Sequence, residues 1–88
     1  MMRWWVKARS GKTIILDDSA WNHIVEEHSE MIYYENKIYE TIRNPDDVEK
    51  GRKNRLIAVK FFDDIKFYIK VVYIEFRHDG KVITAYLQ

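Results

Sequence analysis

Apolar and polar residues alternate with a period of two at the start of the chain. Met2, Trp4, Val6 and Ala8 share one register, and the residues between them include Arg3 and Lys7. This pattern predicts a half-buried strand, in which one of the adjacent rings of Trp4 and Trp5 lies inside and the other outside. Ser10-Gly11 permits a turn, and residues 12–16 are predicted to form a second short strand.

Helical spacing follows the two strands. Asp17, Asp18 and Ser19 are candidate N-caps. The next apolar stripe predicts a first helix over 19–29, formed by Trp21, Ile24, Val25 and His28. A second stripe predicts a helix over 31–43, ended by Asn44-Pro45 because a residue before proline avoids the helical region.

The C-terminal half predicts three strands, at 55–62, 67–76 and 81–87. Asp63-Asp64 and His78-Asp79-Gly80 provide tight connections, so these strands form an antiparallel meander. Residues 46–54 are predicted as loop, with at most one turn at 46–49. The predicted order is β-β-α-α-β-β-β in a single domain, residues 1–88. This is an α+β fold with helices packed on one face of a mostly antiparallel sheet.

Strand alternation also predicts which side chains lie on the sheet face away from the helices. The all-apolar rows belong under the helices. Lys60, Lys70, Thr84 and Tyr86 are then expected to converge on the open face. Lysine and threonine are also ordinary on a solvated face, so a plain surface is the alternative interpretation.

Charge is balanced along the whole chain, with 15 Lys and Arg against 14 Asp and Glu. A net charge of +1 is too small to predict binding to a polyanion, so only local clusters are informative. Lys50, Arg52, Lys53 and Arg55 form such a cluster, either a phosphate-binding segment or a solvated loop. There are no cysteines, no apolar stretch long enough to span a membrane and no signal-peptide core, so a cytoplasmic protein without membrane contact is expected.

The histidines are the candidate acid–base groups. His28 lies on the apolar stripe near the end of the first predicted helix, where it is either a general acid or base or a hydrogen-bonded side chain at the edge of the core. His23 lies about 140° round the helix from His28, so the two cannot bind one ion from a regular helix. No metal site and no cofactor are predicted.

Four short motifs resemble a known superfamily. They are His23-Ile24, then His28 followed by Glu30-Met31, then Thr41-Ile42-Arg43-Asn44-Pro45-Asp46, and finally Val82-Ile83-Thr84-Ala85-Tyr86. In order and spacing the chain resembles the phage-associated members of the barnase–EndoU–colicin–RelE superfamily, which are small, metal-independent, ribonuclease-like domains. The likeness spans residues 4–86.

The resemblance implies an endoribonuclease that cleaves RNA by attack of the 2′-hydroxyl, with His28, Thr84 and Arg55 as catalytic residues. RNA-binding positions are then expected at His23, Lys53, Lys60, Lys70 and Tyr86. Glu27 and Ser29 flank His28 where the superfamily has a basic residue and a proline. The alternatives are a catalytically inactive module that binds a protein such as an antitoxin, or a phage fusion partner, and a plain structural domain.

Overall fold

A computed structural model describes the whole chain, residues 1–88. It contains two α-helices, a 3-10 turn and six strands, so the predicted α+β class is confirmed. The elements are β1 (Met2–Lys7), β2 (Thr13–Asp17), α1 (Asp18–Glu27), the 3-10 turn (Ser29–Tyr33), α2 (Glu35–Arg43), β3 (Asp47–Lys50), β4 (Arg55–Phe62), β5 (Phe67–Glu75) and β6 (Asp79–Leu87).

The strands form one sheet in the order β1-β2-β6-β5-β4-β3. β1 with β2, and each neighbouring pair from β3 to β6, is antiparallel, as a short turn between strands requires. β2 and β6 are parallel and pair only over residues 13–15 and 79–81. Beyond Lys81, β6 therefore has no strand on its β2 side.

The helices cover one face of this sheet and bury a continuous core there. Met31, Ile38 and Ile42 have no more than 1% of their surface exposed. They pack with Trp21 and Ile24 against Ala8, which follows β1, and against the sheet residues Val6, Ile14, Leu16, Ala58, Ile69, Val71, Tyr73, Val82 and Ala85. Trp4 is half-buried against this core and Trp5 is 53% exposed, as the alternation predicts.

The first helix begins where a carboxylate can cap it. The side chain of Asp17 accepts a hydrogen bond from the backbone N–H of Ala20 at 2.8 Å. The helix ends at His28, whose N–H donates to the carbonyl of Ile24 at 2.7 Å. The second predicted helix is divided, since the 3-10 turn buries Met31 and α2 begins only at Glu35.

One carboxylate ties β1 to α2. Glu35 accepts two hydrogen bonds from the guanidinium of Arg3, at 2.7 and 2.8 Å, and one from the indole of Trp4 at 3.1 Å. These bonds hold the pKa of Glu35 below its ordinary value. The Arg3 guanidinium also lies 5.0 Å from the ring of Trp21, which brings α1 into the same cluster.

The prediction of loop over 46–54 is wrong, because Asp47–Lys50 forms β3. It pairs with β4 from Asp47 opposite Val59 to Lys50 opposite Leu56. As an edge strand it has a second side free of hydrogen bonds, and its residues apart from Val48 are charged. Only the following turn is irregular, with Lys53 and Asn54 at positive φ.

The predicted faces of β4 are also wrong. Ala58 pairs with Val71, and Val71 pairs with Ala85, so the row Leu56, Ala58, Lys60 and Phe62 lies under the helices. The row Ile57, Val59 and Phe61 lies on the open face. Lys60 is therefore on the helix side of the sheet, contrary to the prediction.

A bulge in β6 changes its alternation. Thr84 pairs with Val72 and Val82 pairs with Tyr73, so Ile83 is the extra residue. Val82 and Ala85 consequently both lie in the core, although they are three residues apart. Thr84 and Tyr86 remain on the open face.

Candidate active site

Three of the predicted site residues lie together on the open face of the sheet. Tyr86 in β6 pairs with Lys70 in β5, which in turn pairs with Val59 in β4. Thr84 lies two residues before Tyr86 on the same face, roughly 7 Å along the strand. Lys70, Thr84 and Tyr86 thus form the centre of the candidate site.

His28 joins this group from the helix layer. Its ring centroid lies 5.6 Å from that of Tyr86, at an angle of 36° between the planes. The imidazole is half-buried and follows the last turn of α1, beside the part of β6 that has no strand partner. An imidazole and a phenol are therefore in contact, and the threonine hydroxyl lies on the same strand as the phenol. The amine of Lys70 extends the other way, across β4 toward Glu49 in β3.

The hydroxyl of Thr84 is buried and has no hydrogen-bond partner within the protein. Leaving a buried hydroxyl unpaired costs about 1–3 kcal/mol. The bulge at Ile83 directly precedes Thr84 and sets its position in the strand. Unsatisfied polar groups and bulges are both common at functional sites.

One carboxylate lies beside the amine of Lys70. Its Nζ lies 3.8 Å from Oε1 of Glu49 in β3. The adjoining depression has a volume of about 700 Å³ and is lined by Asp46, Asp47, Glu49, Val59, Tyr68, Lys70 and Gln88. Lys60 lies 3.7 Å from Asp46 and Lys70 lies 3.8 Å from Glu49, so three acids face two amines. This part of the face keeps a net negative charge, which weakens its attraction for phosphate.

The sequence does not predict these acids as site residues, because the pattern over residues 46–54 predicts a loop. The available signal was Val48, a single apolar residue between Asp47 and Glu49. One apolar position is too short a pattern to predict a strand.

The remaining predicted cations do not join the site. Lys60 donates from Nζ to the carbonyl of Asn44 at 2.9 Å and lies 3.7 Å from Oδ1 of Asp46. Arg55 opens β4, about 13 Å along the strand from the row of Lys70 and Tyr86. Lys53 lies in the turn before it. The structure therefore does not bring Arg55 together with His28 and Thr84.

His23 lies on the exposed side of α1, more than one turn before His28. It lines a separate cleft where β2 and β6 diverge, together with Asp17, Ser19, Ala20, Lys81, Val82 and Ile83. No three histidine or acidic side chains are arranged to hold a metal ion. None of the helices has the length and apolar character needed to cross a membrane.

Comparison of the chain with protein-family models, with curated proteins and with solved structures finds no significant match. The resemblance to the ribonuclease superfamily therefore stays a prediction from the motifs.

Proposed function

We propose that this protein is a metal-independent endoribonuclease of the toxin-like, phage-associated kind. The observation that supports this best is the proximity of the His28 and Tyr86 rings, with Thr84 and Lys70 as the neighbours of Tyr86 on the same face. A base, hydroxyl donors and a cation are the groups that such a reaction needs without a metal.

In the proposed reaction His28 takes the proton of the 2′-hydroxyl, and the 2′-oxygen attacks the adjacent phosphorus. The bond from phosphorus to the 5′-oxygen breaks, and this oxygen takes a proton from water, which leaves a 2′,3′-cyclic phosphate and a 5′-hydroxyl. His28 then releases the proton of the 2′-hydroxyl to solvent. Thr84 stabilises the charge on the phosphoryl oxygens, and the flexible side chain of Lys70 exchanges Glu49 for the phosphate in the complex. Tyr86 is the second hydroxyl beside the histidine. Lys70 takes the role that the resemblance gave to Arg55.

The decisive experiment uses total RNA and the purified protein in the presence of EDTA. We expect cleavage products that carry cyclic phosphate ends, and no cleavage at sites with a 2′-deoxy substitution. His28→Ala should lower the rate by at least about a hundredfold, the contribution of a positioned acid or base. His78→Ala, at an exposed turn, is the matched control. Equal cleavage by wild type and His28→Ala would contradict the proposal.

The acids at Asp46, Asp47 and Glu49 favour a second candidate, a catalytically inactive module that binds a protein such as an antitoxin. Their charge opposes RNA but suits a basic partner. Absence of cleavage across varied RNAs, together with tight binding of one protein that His28→Ala and Thr84→Ala leave unchanged, would favour this candidate. For either function we propose the cytoplasm as the site of action.

A further inference from the structure

The open face of the sheet is apolar over most of its centre. Ile57, Val72 and Ile74 occupy consecutive positions on it and are only partly covered by the protein. Aromatic rings continue the surface on both sides, with Trp5 53%, Phe61 40% and Tyr68 45% exposed. Monomeric proteins rarely expose a contiguous apolar patch larger than roughly a few hundred Å².

Opposite charges lie along two adjoining borders of this apolar centre. The acidic rim consists of Asp47 and Glu49 in β3, and both residues are exposed. The cationic rim consists of Arg55 and Lys81, which lie either side of Ile74 in one row of the sheet. Neither Arg55 nor Lys81 has a carboxylate within 4 Å, although the protein has eight ion pairs. In the acidic rim, Glu49 lies 3.8 Å from Lys70 and Asp47 has no ion pair.

Ile57 lies between the two rims. It pairs with Glu49 across to β3, and Arg55 is the preceding residue on the same face of β4. Consider a two-fold axis that runs parallel to the open face and passes near Ile57. Rotation about this axis places the acidic rim of one copy against the cationic rim of the other copy. The same operation stacks the two apolar centres on each other.

We propose that the open face binds a second copy of this chain, forming a two-fold dimer through the stacked sheets. This inference is independent of the ribonuclease proposal. RNA fits the patch of Ile57, Val72 and Ile74 less well, because the acidic rim repels phosphate and aliphatic side chains offer no partner for it. A second copy satisfies both the apolar centre and the charges of the two rims.

Charge reversal of each rim tests the proposal by sedimentation equilibrium. Wild type is expected at twice the 10.7 kDa mass of the chain. Asp47→Lys/Glu49→Lys and Arg55→Glu/Lys81→Glu each place like charges in contact twice per dimer, and each should raise the dissociation constant roughly tenfold or more. An equal mixture of the two variants restores both attractive contacts and should dimerise again.

The matched control is Glu26→Lys/Glu40→Lys, which makes the same change of charge in the helix layer and should leave the dimer intact. All variants should keep the circular dichroism spectrum of the wild type. A wild type that stays monomeric overturns the proposal, whether the face then binds RNA, another protein or nothing. A dimer that neither reversal weakens, or a mixture that fails to reassociate, also overturns it.

Discussion

The buried hydroxyl of Thr84 lowers the stability of the fold, and Thr84 lies near the candidate acid–base group, His28. Its buried hydroxyl has no partner, while Tyr86, two residues on, contacts His28. A residue selected only for stability would be better as valine at this position, since the hydroxyl contributes no hydrogen bond. This hydroxyl is the donor that the proposed function assigns to the phosphoryl oxygens.

Thr84→Val should have opposite effects on stability and on cleavage. Removing the unpaired hydroxyl is expected to raise the free energy of unfolding by about 1 kcal/mol, measured by urea denaturation. RNA cleavage should fall, because the phosphoryl oxygens lose a hydrogen-bond donor. Thr13→Val, at a half-buried position away from the site, is the control for cleavage. If Thr84→Val raises the free energy of unfolding and leaves the cleavage rate unchanged, the proposed role of the Thr84 hydroxyl in cleavage is wrong.

The lowered pKa of Glu35 makes the free energy of unfolding depend on pH. Its pKa is lowered in the folded protein, first by hydrogen bonds from Arg3. A lowered pKa contributes stability above the ordinary carboxyl value of 4.5, and this is lost as pH falls through the folded pKa. Glu35→Gln should therefore cost about 1–2 kcal/mol at neutral pH and progressively less in acid. Glu26→Gln, at an exposed position of α1 without an ion pair, should cost nothing at either pH.

At the scale of elements, the absence of a side chain at Gly80 allows β5, β6 and β2 to pack close to one another. A Cβ at this position would collide with the carbonyl oxygen of Ile74 and lie 2.8 Å from Cδ1 of Ile14. Gly80→Ala should therefore lower the free energy of unfolding by at least about 3 kcal/mol. Gly51→Ala is the matched control, since its Cβ would lie 3.4 Å from its neighbours. Similar unfolding midpoints for the two variants in urea would contradict this packing argument.

Strong patterns predicted the central elements well. β4 was predicted with the bounds Arg55–Phe62 that the structure shows, and β5 differs by one residue at its end. Long alternating runs with clear turns leave little choice of register. β3 was missed because it is a short, charged edge strand, and its only evidence is the backbone pairing with β4.

The face of β4 was predicted wrongly for a reason that concerns function. The rule places the more apolar row under the helices, and Ile57, Val59 and Phe61 are more apolar than a row that contains Lys60. In this protein the open face of the sheet is also apolar. The rule therefore wrongly places the row of Ile57, Val59 and Phe61 under the helices. The bulge at Ile83 is likewise invisible in the sequence, although it sets which side chains of β6 enter the core.

For the whole molecule, a net charge of +1 conceals a strong separation of charge. Acids line the β3 edge of the open face, and the unpaired cations Arg55 and Lys81 line one end of its central strands. The opposite charges cancel in the net charge of the chain. A partner in contact with the protein, however, interacts mainly with the charges of the rim that it touches. This is why composition alone predicted neither RNA binding nor self-association.

The two proposals together predict that cleavage depends on protein concentration. Lys70 lies 3.8 Å from Glu49, so a copy docked on the acidic rim lies beside the candidate site and blocks access of RNA to it. The cleavage rate per chain should fall to about half where half of the chains are dimeric. Arg55→Glu/Lys81→Glu, which weakens the dimer, should give a rate per chain that does not vary with concentration over the same range. The added negative charge of this variant also lowers its affinity for RNA, and it does so at every protein concentration. The quantity to compare is therefore the slope of the cleavage rate per chain against protein concentration. A wild-type rate per chain that stays constant across the measured dimer transition would mean that the open face and the cleavage site do not overlap.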